Sequence, residues 1–415
     1  MKDKRVEALI AKETKRQSSV VNLIASENTV SKDVLAALGS ALTNKYAEGY
    51  PGARYYGGNA VVDEIETLAQ TRALKLFGVS NRAWAVNVQP LSGSPANLAV
   101  FTAVVPLGGK IMGMSLSSGG HLTHGQKVSL TGKAWMQVPF EVAKGTEVID
   151  YDALEAQARE HKPDIIIAGF TAYPRVVDWK RFRSIADAAG ALLMVDMSHV
   201  GGLVAGKAYP SPFPYADIVT TTVHKTLRGP RAGLIFSRRG SRVGGRLDGK
   251  DLSVLIDKAI IPGIQGGPHI NQIAATAVAL GEAATSEFKK YAQQIVVNAH
   301  VLAQELANRG WRIVSGGTDS HLILVDTWMS GAGIPGADAE RALEKEGIIV
   351  NKNGIPHDER GPRDPSGIRL GTANETTHGK KEKDMVKLAA RIDDILKAAH
   401  KKFVKNAGKP APKKK

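Results

Sequence analysis

A lysine and an aspartate each stand at the end of an apolar, strand-like run of the sequence. Lys225 comes shortly after the run 219–223, and Asp196 closes the run 191–195. A lysine amine can form an imine with an aldehyde, and a carboxylate can keep a pyridine nitrogen protonated so that the ring accepts electrons. Burying an ammonium group without such a use is expensive. The pair therefore indicates an enzyme that uses pyridoxal 5′-phosphate (PLP), although either residue alone says little.

A short polar turn is a candidate phosphate site. Ser92, Gly93 and Ser94 follow a β-rich run at 85–88, and Pro95 suits the first turn of a helix. Backbone amides and hydroxyls at a helix N-terminus attract phosphate, because the helix dipole is positive there. The motif is weak by itself, since similar turns cap many helices. Its place before the aspartate and the lysine strengthens the phosphate interpretation.

Two histidines and an arginine complete the set of ligand-binding candidates. His199 follows Asp196 by three positions and can reach a ring hydroxyl, whereas His121 lies in a Gly-rich loop from which it can stack on the ring. For each histidine, a satisfied core or loop residue is an equally good interpretation. Arg369, between small residues, can bind an α-carboxylate with two parallel hydrogen bonds. A surface salt bridge is the alternative for this arginine.

The segment 43–58 combines several tyrosines with several glycines. Such a density is not typical of a packed core and indicates a loop that presents phenol groups to a ligand. Glu48, within this segment, is the candidate for proton transfer at a substrate hydroxyl or carbonyl.

Composition limits the remaining possibilities. The chain has 415 residues and no cysteine, which excludes disulfides, thiolate metal sites and a cysteine nucleophile, and we expect no metal. The N-terminus lacks the apolar core of a signal peptide, and no apolar run approaches the roughly 18 residues of a membrane span. We therefore expect a soluble cytoplasmic protein. The net charge of +15 is concentrated partly in a Lys-rich tail, so nucleic-acid binding is an unfavoured alternative.

The elements that must position these groups follow an alternating pattern. Short β-rich runs at 85–88, 110–114, 165–170, 192–196, 218–222 and 232–236 are separated by helical stretches. Such alternation predicts an α/β fold with a mainly parallel sheet and chemistry at the carboxyl ends of its strands. We expect a helical arm at 1–30, a large α/β domain at 31–272, a small α+β domain at 273–400 and a disordered basic tail at 401–415.

Five motifs together resemble the serine hydroxymethyltransferase family. They are NKYAEGYPG at 44–52, GGHLTHG at 119–125, VDMSH at 195–199, HKTLRGPR at 224–231 and SGIR at 366–369. The resemblance implies the PLP-dependent transferase fold type I, with a mainly parallel seven-stranded sheet and a small C-terminal domain. It also implies transfer of a one-carbon unit between serine and tetrahydrofolate, which yields glycine and 5,10-methylenetetrahydrofolate. A homodimer or tetramer with shared active sites is expected.

The resemblance also assigns roles to individual residues. The catalytic group comprises Lys225 as the Schiff-base lysine, Asp196 as the ring-nitrogen partner, His121 as the stacking residue, Glu48 as the acid/base and His224. The cofactor site further includes Ser92, Gly93, Ser94, Thr171, His199 and Thr222, with Tyr46 and Gly267 arriving from the neighbouring chain. The substrate site comprises Ser26, Tyr56, Arg369 and Glu48. The pteridine pocket comprises Tyr55, Leu116, Leu122 and Asn353.

Departures from the family pattern collect on the substrate and folate side. They are Leu91, Ser117 and Ser118, Ile261 and Ile264, and Ala373 and Asn374, whereas the PLP-handling residues are intact. A second hypothesis therefore stays open at this point. It is a folate-independent PLP aldolase or transaldolase, or an α-methylserine hydroxymethyltransferase, that acts on β-hydroxy amino acids.

Overall fold

The chain divides into two compact units. The computed structural model describes residues 1–240, 247 and 249–407. One unit is Asn28–Gln294, and the other combines Met1–Glu27 with the chain from Ile295 onward. The first 27 residues are therefore structurally part of the C-terminal unit.

Helices run along the whole of the described chain. They are α1 Lys4–Ser19, α2 Lys32–Leu38, α3 Ala60–Phe77, α4 Gly93–Val104, α5 Leu130–Ala134, α6 Tyr151–His161, α7 Trp179–Ala189, α8 Gly201–Ala205, α9 Leu252–Lys258, α10 Ile270–Ala283, α11 Ser286–Asn308, α12 Gly336–Lys345, α13 Ala373–Thr377 and α14 Glu382–Ala407.

The strands are mostly short. They are β1 Val21–Asn22, β2 Gly49–Tyr50, β3 Ala53–Arg54, β4 Trp84–Asn87, β5 Lys110–Met114, β6 Met136–Phe140, β7 Ile165–Gly169, β8 Leu192–Asp196, β9 Ile218–Thr222, β10 Gly233–Arg238, β11 Arg312–Ile313, β12 Leu322–Asp326, β13 Ile348–Ile349, β14 Asn351–Asn353 and β15 Gly367–Gly371.

A mixed sheet forms the centre of the Asn28–Gln294 unit. Its strand order is β4-β10-β9-β8-β7-β5-β6, and only β10 runs antiparallel to its neighbours. Every residue of β7, β8 and β9 is buried. These strands are continuous apolar or Thr-rich runs because neither face of a parallel sheet meets water. The predicted α/β fold with a mostly parallel sheet is confirmed.

The sheet direction brings the predicted chemistry to one edge. β8 ends at Asp196, and β9 ends three residues before Lys225. The strands β8 and β9 are parallel neighbours, with Asp196 in register with Thr220. Because parallel strands share their carboxyl edge, the aspartate and the lysine emerge on the same side of the sheet.

The other unit is built on a four-stranded antiparallel sheet of order β11-β12-β15-β14. Buried side chains of this sheet and of α12 and α14, among them Ile323, Leu343, Leu370 and Ile392, form its core. Near the N-terminus, β1 adds a parallel pair with β13. Arg369 lies on β15, one of the two inner strands.

The helical sequence pattern over residues 270–309 corresponds to two helices, because the Thr285 hydroxyl accepts a hydrogen bond from Phe288 N–H and starts a new helix. One predicted element needs correction. Residues 401–407, predicted to be disordered, continue α14. There the Phe403 ring packs edge-on against Trp328, with centroids 6.4 Å apart, which supplies an apolar contact that composition did not indicate. The rest of the predicted disordered tail, 408–415, lies outside the described residues.

A buried ion pair ties helix α7 to two strands of the central sheet. Arg183 on α7 contacts Asp217 at 2.7 Å, and Leu193 N–H of β8 donates to the same carboxylate oxygen at 2.8 Å. Asp217 directly precedes β9 and is 2% exposed. The pair therefore fixes the positions at which β8 and β9 enter the sheet.

We expect Arg183→Met to lower the unfolding free energy by about 3–5 kcal/mol, because it leaves a buried carboxylate without its cation. Urea denaturation of the ligand-free protein measures this change. The matched control is Arg159→Met, which removes a partly exposed pair with Glu155 and should cost about 0–1 kcal/mol. Equal losses in the two variants would contradict the prediction.

Candidate active site

The Asp196 carboxylate is buried, and hydrogen bonds to both of its oxygens hold it in one orientation. One oxygen, Oδ2, accepts from Asn97 Nδ2 at 2.9 Å and lies 3.1 Å from His124 Nε2. The other, Oδ1, accepts from Ser198 N–H at 3.1 Å. Burial would raise the pKa of Asp196, but His124, His121 and the Ser198 hydrogen bond outweigh it and hold that pKa well below its usual range. The site therefore contains a permanent anion.

Lys225 lies in the loop that follows β9, and hydrogen bonds join this loop to the one that follows Asp196 and β8. The Thr226 hydroxyl donates to the His199 carbonyl at 3.1 Å, and Thr222 N–H donates to the Ser198 hydroxyl at 3.1 Å. Lys225 is 8% exposed, and its carbonyl accepts from Asn28 Nδ2. The loop that carries Lys225 is thus anchored to the loop that follows Asp196.

His121 and His224 are neutral members of the same region. Burial, followed by the electrostatic interaction with His124, lowers the pKa of His121 to about 4, although Asp196 opposes the shift. Burial, followed by the charges of Lys225 and Arg231, lowers the pKa of His224 to about 3. Both imidazoles are therefore uncharged near neutral pH. A neutral ring at His121 suits stacking on a positively charged aromatic group.

The turn before α4 lies against the end of β9. A Cβ added to Gly93 would come within 2.7 Å of Thr222 Cγ2, so only glycine allows this approach. Ser92 is the N-cap residue of α4, and its side chain makes no capping hydrogen bond. The helix N-terminus, with its amides and the Ser92 hydroxyl, therefore opens next to the strand that leads to Lys225.

Arg369 occupies the core of the other unit. It is 7% exposed, and its Nε donates to Asn351 Oδ1 at 3.0 Å. Burial lowers the pKa of Arg369 to about 10, so the guanidinium is charged at neutral pH. Ser26 follows β1 and Asn353 ends β14 in the same unit. A buried, oriented guanidinium is suited to an anionic ligand.

Comparison with known proteins decides the family. The family model described as serine hydroxymethyltransferase matches residues 1–392. A curated serine hydroxymethyltransferase of Koribacter versatilis (strain Ellin345) is 52% identical over 395 residues, covering 95% of this chain and 89% of that protein. One of Legionella pneumophila (strain Lens) is 53% identical over 391 residues, covering 94% and 90%. This chain belongs to the serine hydroxymethyltransferase family.

This membership confirms the predicted family, enzyme class and cofactors. Serine hydroxymethyltransferases are PLP-dependent transferases that use tetrahydrofolate as cosubstrate. Serine/glycine hydroxymethyl transfer is therefore the activity of this chain, and nothing in the comparisons favours the folate-independent alternative. In the described residues, no cluster of His, Asp and Glu could hold a metal ion.

The residues present fit the cofactor of a serine hydroxymethyltransferase. The close approach at Gly93 leaves the α4 N-terminus open for a phosphate, which would lie beside the β9 end. The buried anion at Asp196 suits a protonated pyridine nitrogen. Thr171 N–H donates to the Gly119 carbonyl at 2.7 Å, which joins the end of β7 to the His121 loop.

A second group of family residues lies together in the Asn28–Gln294 unit. The Tyr46 and Tyr56 rings meet edge-on at 5.1 Å, and those of Tyr55 and Tyr56 at 5.2 Å. A Cβ on Gly267 would lie 3.3 Å from the Tyr46 ring. The charge of Glu48, followed by its hydrogen bond, raises the pKa of Tyr46. These residues, named below as the tyrosine cluster (Tyr46, Glu48, Tyr55, Tyr56 and Gly267), form one surface.

Sequence reasoning missed two polar residues that contact Asp196. Asn97 and His124 both contact Asp196 directly and are 1% and 0% exposed. Both residues lie in segments that the sequence had already marked as functional. His124 belongs to the GGHLTHG motif, and Asn97 lies on the helix that begins at the phosphate turn. Their contacts with Asp196 join positions that are far apart in sequence.

The depressed histidine pKa values predict acid sensitivity of folding. A histidine whose folded pKa lies below the unfolded value of 6.5 stabilises the fold fully above pH 6.5. As the pH falls toward about 4, the unfolded chain binds the extra protons and this stability is lost. Urea denaturation of the PLP-free protein should therefore show falling stability from pH 6.5 to 4. His121→Asn and His224→Asn should each make this dependence shallower by up to about one proton, and unchanged slopes in both would contradict it.

Proposed function

We propose that Lys225, Asp196, Glu48 and Arg369 carry out the serine/glycine hydroxymethyl transfer of this chain. The observation that carries the proposal is the buried anion of Asp196 on β8, beside the strand that leads to Lys225. Bound PLP supplies an aldehyde for covalent attachment and an aromatic ring that accepts electrons. The described side chains then bind, orient and move protons.

Each side chain has a distinct proposed task. Lys225 supplies the amine that holds the cofactor, and Asp196 keeps the ring nitrogen protonated. His121 covers the ring face as a neutral imidazole, and Arg369 binds the carboxylate of the amino acid. Glu48 removes the proton from the serine hydroxyl as the one-carbon unit leaves.

The remaining family assignments belong to the same proposal. Ser92, Gly93 and Ser94 bind the phosphate, while Thr171, His199, Thr222 and His224 surround the ring. Ser26 and Tyr56 assist Arg369 at the carboxylate. Tyr55, Leu116, Leu122 and Asn353 hold the pteridine of folate. The exposed side chains of Tyr55, Leu116 and Leu122 support a site for a flat aromatic ligand, because such ligands cover apolar surface.

The fold is interpreted in the same family terms. We assign the seven-stranded unit to the large PLP domain of fold type I and the antiparallel unit to the small domain. The boundaries predicted at 31–272 and 273–400 remain proposals, with 1–30 as the arm. No helix in the described part of the chain is long and apolar enough to cross a membrane. The cytoplasmic location stays a prediction.

We also propose a homodimer, or a tetramer built from two such dimers, with shared active sites. Tyr55 is 82% exposed, Tyr46 57% and Tyr56 44%, an unusual amount of open aromatic surface for one loop. A second copy of the chain would cover it. Because Glu48 lies beside Tyr46, a tyrosine cluster that serves the neighbouring site would bring Glu48 with it.

The activity is tested by measuring glycine formed from serine at several tetrahydrofolate concentrations. We expect the rate to rise with tetrahydrofolate and to fall by at least about a thousandfold in Lys225→Ala, which lacks the covalent anchor. Lys250→Ala, outside the proposed site, is the matched lysine control and should keep the wild-type rate. A rate that tetrahydrofolate does not change would contradict the proposal.

Shared sites predict complementation between two inactive variants. Lys225→Ala and Glu48→Gln should each be inactive alone, but equal mixtures of the two, unfolded and refolded together, form heterodimers with one intact site. Random pairing should restore about a quarter of the wild-type activity. No recovery, with heterodimers demonstrated by native mass spectrometry, would mean that each site is built from one chain.

A further inference from the structure

Asn97 lies on α4, and both polar atoms of its side chain make hydrogen bonds, one of them to Asp196. Its Nδ2 donates to Asp196 Oδ2 and to Thr123 Oγ1, both at 2.9 Å. Its Oδ1 accepts from the Thr220 hydroxyl at 2.8 Å. The opposite amide orientation would place a carbonyl oxygen against a carboxylate, so the network fixes the orientation. A residue in the second turn of the phosphate helix thus orients the proposed ring partner.

His124 reaches the same carboxylate oxygen in a defined tautomer. Its Nδ1 accepts the backbone N–H of His121 at 3.4 Å, so the ring proton lies on Nε2, which donates to Asp196 Oδ2 at 3.1 Å. The imidazole is therefore a neutral donor and leaves the charge of Asp196 intact. A protonated His124 would instead direct an N–H at the N–H of His121.

The contacts close a ring of hydrogen bonds. Thr123 Oγ1, which accepts from Asn97, lies 2.7 Å from His121 Nδ1, and the His121 backbone returns to His124. Two neutral donors therefore occupy Asp196 Oδ2, whereas Oδ1 takes one backbone N–H. The carboxylate keeps accepting capacity on Oδ1 and cannot rotate without breaking bonds to three groups.

We infer that Asn97 and His124 are positioning residues that hold Asp196 in place, ionised, for the pyridine nitrogen of PLP. Asn97 additionally couples that carboxylate to the helix whose N-terminus receives the phosphate. The inference rests on the proposed role of Asp196 and deepens it. Neither residue touches the reacting atoms, so each acts through Asp196.

The test compares variants of the holoenzyme and of the PLP-free protein. The variants are Asn97→Ala, His124→Phe and His124→Gln, with Asp196→Asn as the reference. Three quantities are measured: the dissociation constant of PLP, the pH dependence of the visible absorption of bound PLP, and the thermal midpoint of the PLP-free protein. The thermal midpoint detects damage to the fold, and the absorption detects the protonation of the ring.

We expect Asn97→Ala and His124→Phe each to weaken PLP binding about ten- to a hundredfold, the effect of removing a hydrogen bond to a charged group. His124→Gln, whose amide N–H can reach the same oxygen, should recover most of the affinity. The ring should lose its proton at lower pH in Asn97→Ala and His124→Phe than in wild type. His121, His124 and Lys225 are the charged or titratable groups that act on this region, and the first and last are unchanged in every variant.

Pyridoxal, which lacks the phosphate, separates the two possible actions of Asn97. If Asn97 acts through Asp196, Asn97→Ala weakens pyridoxal and PLP binding by the same factor. A loss confined to PLP would mean that Asn97 serves only the phosphate, and it would overturn its assignment to Asp196.

The reference variant distinguishes failure of this inference from failure of the proposed site. If Asp196→Asn alters affinity and absorption while Asn97→Ala and His124→Phe behave as wild type, only the positioning role is overturned. If Asp196→Asn itself behaves as wild type, Asp196 is not the ring partner and both proposals fail. Equal losses in His124→Phe and His124→Gln, with equally lowered thermal midpoints and unchanged absorption, would reduce His124 to a structural residue.

Discussion

The site depends on keeping one carboxylate charged in an interior that excludes water. Burial acts against the charge of Asp196, and four described groups counter it: Asn97, His124, His121 and the backbone of Ser198. The partners in direct contact are neutral donors, which stabilise an anion without cancelling it. The anion is therefore still available to a cationic ligand, which a buried salt bridge would have neutralised. The organisation of the neighbouring strands and loops follows from this requirement.

The central sheet supplies the rigidity that such a carboxylate needs. The strands on either side of β8 are buried along their whole length, and the ion pair of Arg183 with Asp217 holds the entries of β8 and β9. Close backbone approaches hold the carboxyl ends of the strands in the same way. Gly93 lets α4 reach Thr222, and Gly119 lets the His121 loop meet the residues that follow β7. Small residues at these points are a packing requirement of the site.

Much of this arrangement was predictable from sequence because its motifs are local. The bounds of β5, β8 and β9 agree with the apolar runs at 110–114, 192–196 and 218–222. By contrast, β6 was missed because Pro139 interrupts its pattern, which an edge strand tolerates. β15 was missed because glycines bound it. The contacts of Asn97 and His124 with Asp196 were missed because no local pattern reports a hydrogen bond between distant positions.

The pairing of β1 with β13 bears on how the chain is made. Val21 aligns with Ile348, so a segment that is synthesised early has to wait for one that is synthesised much later before its partner exists. The Asn28–Gln294 unit, in contrast, is contiguous and can begin to pack as soon as it has been synthesised. During translation the N-terminal segment is thus an unpaired strand attached to a folding domain. Its helix α1, with no buried residue and many charged ones, is well suited to keep that segment from aggregating during the delay.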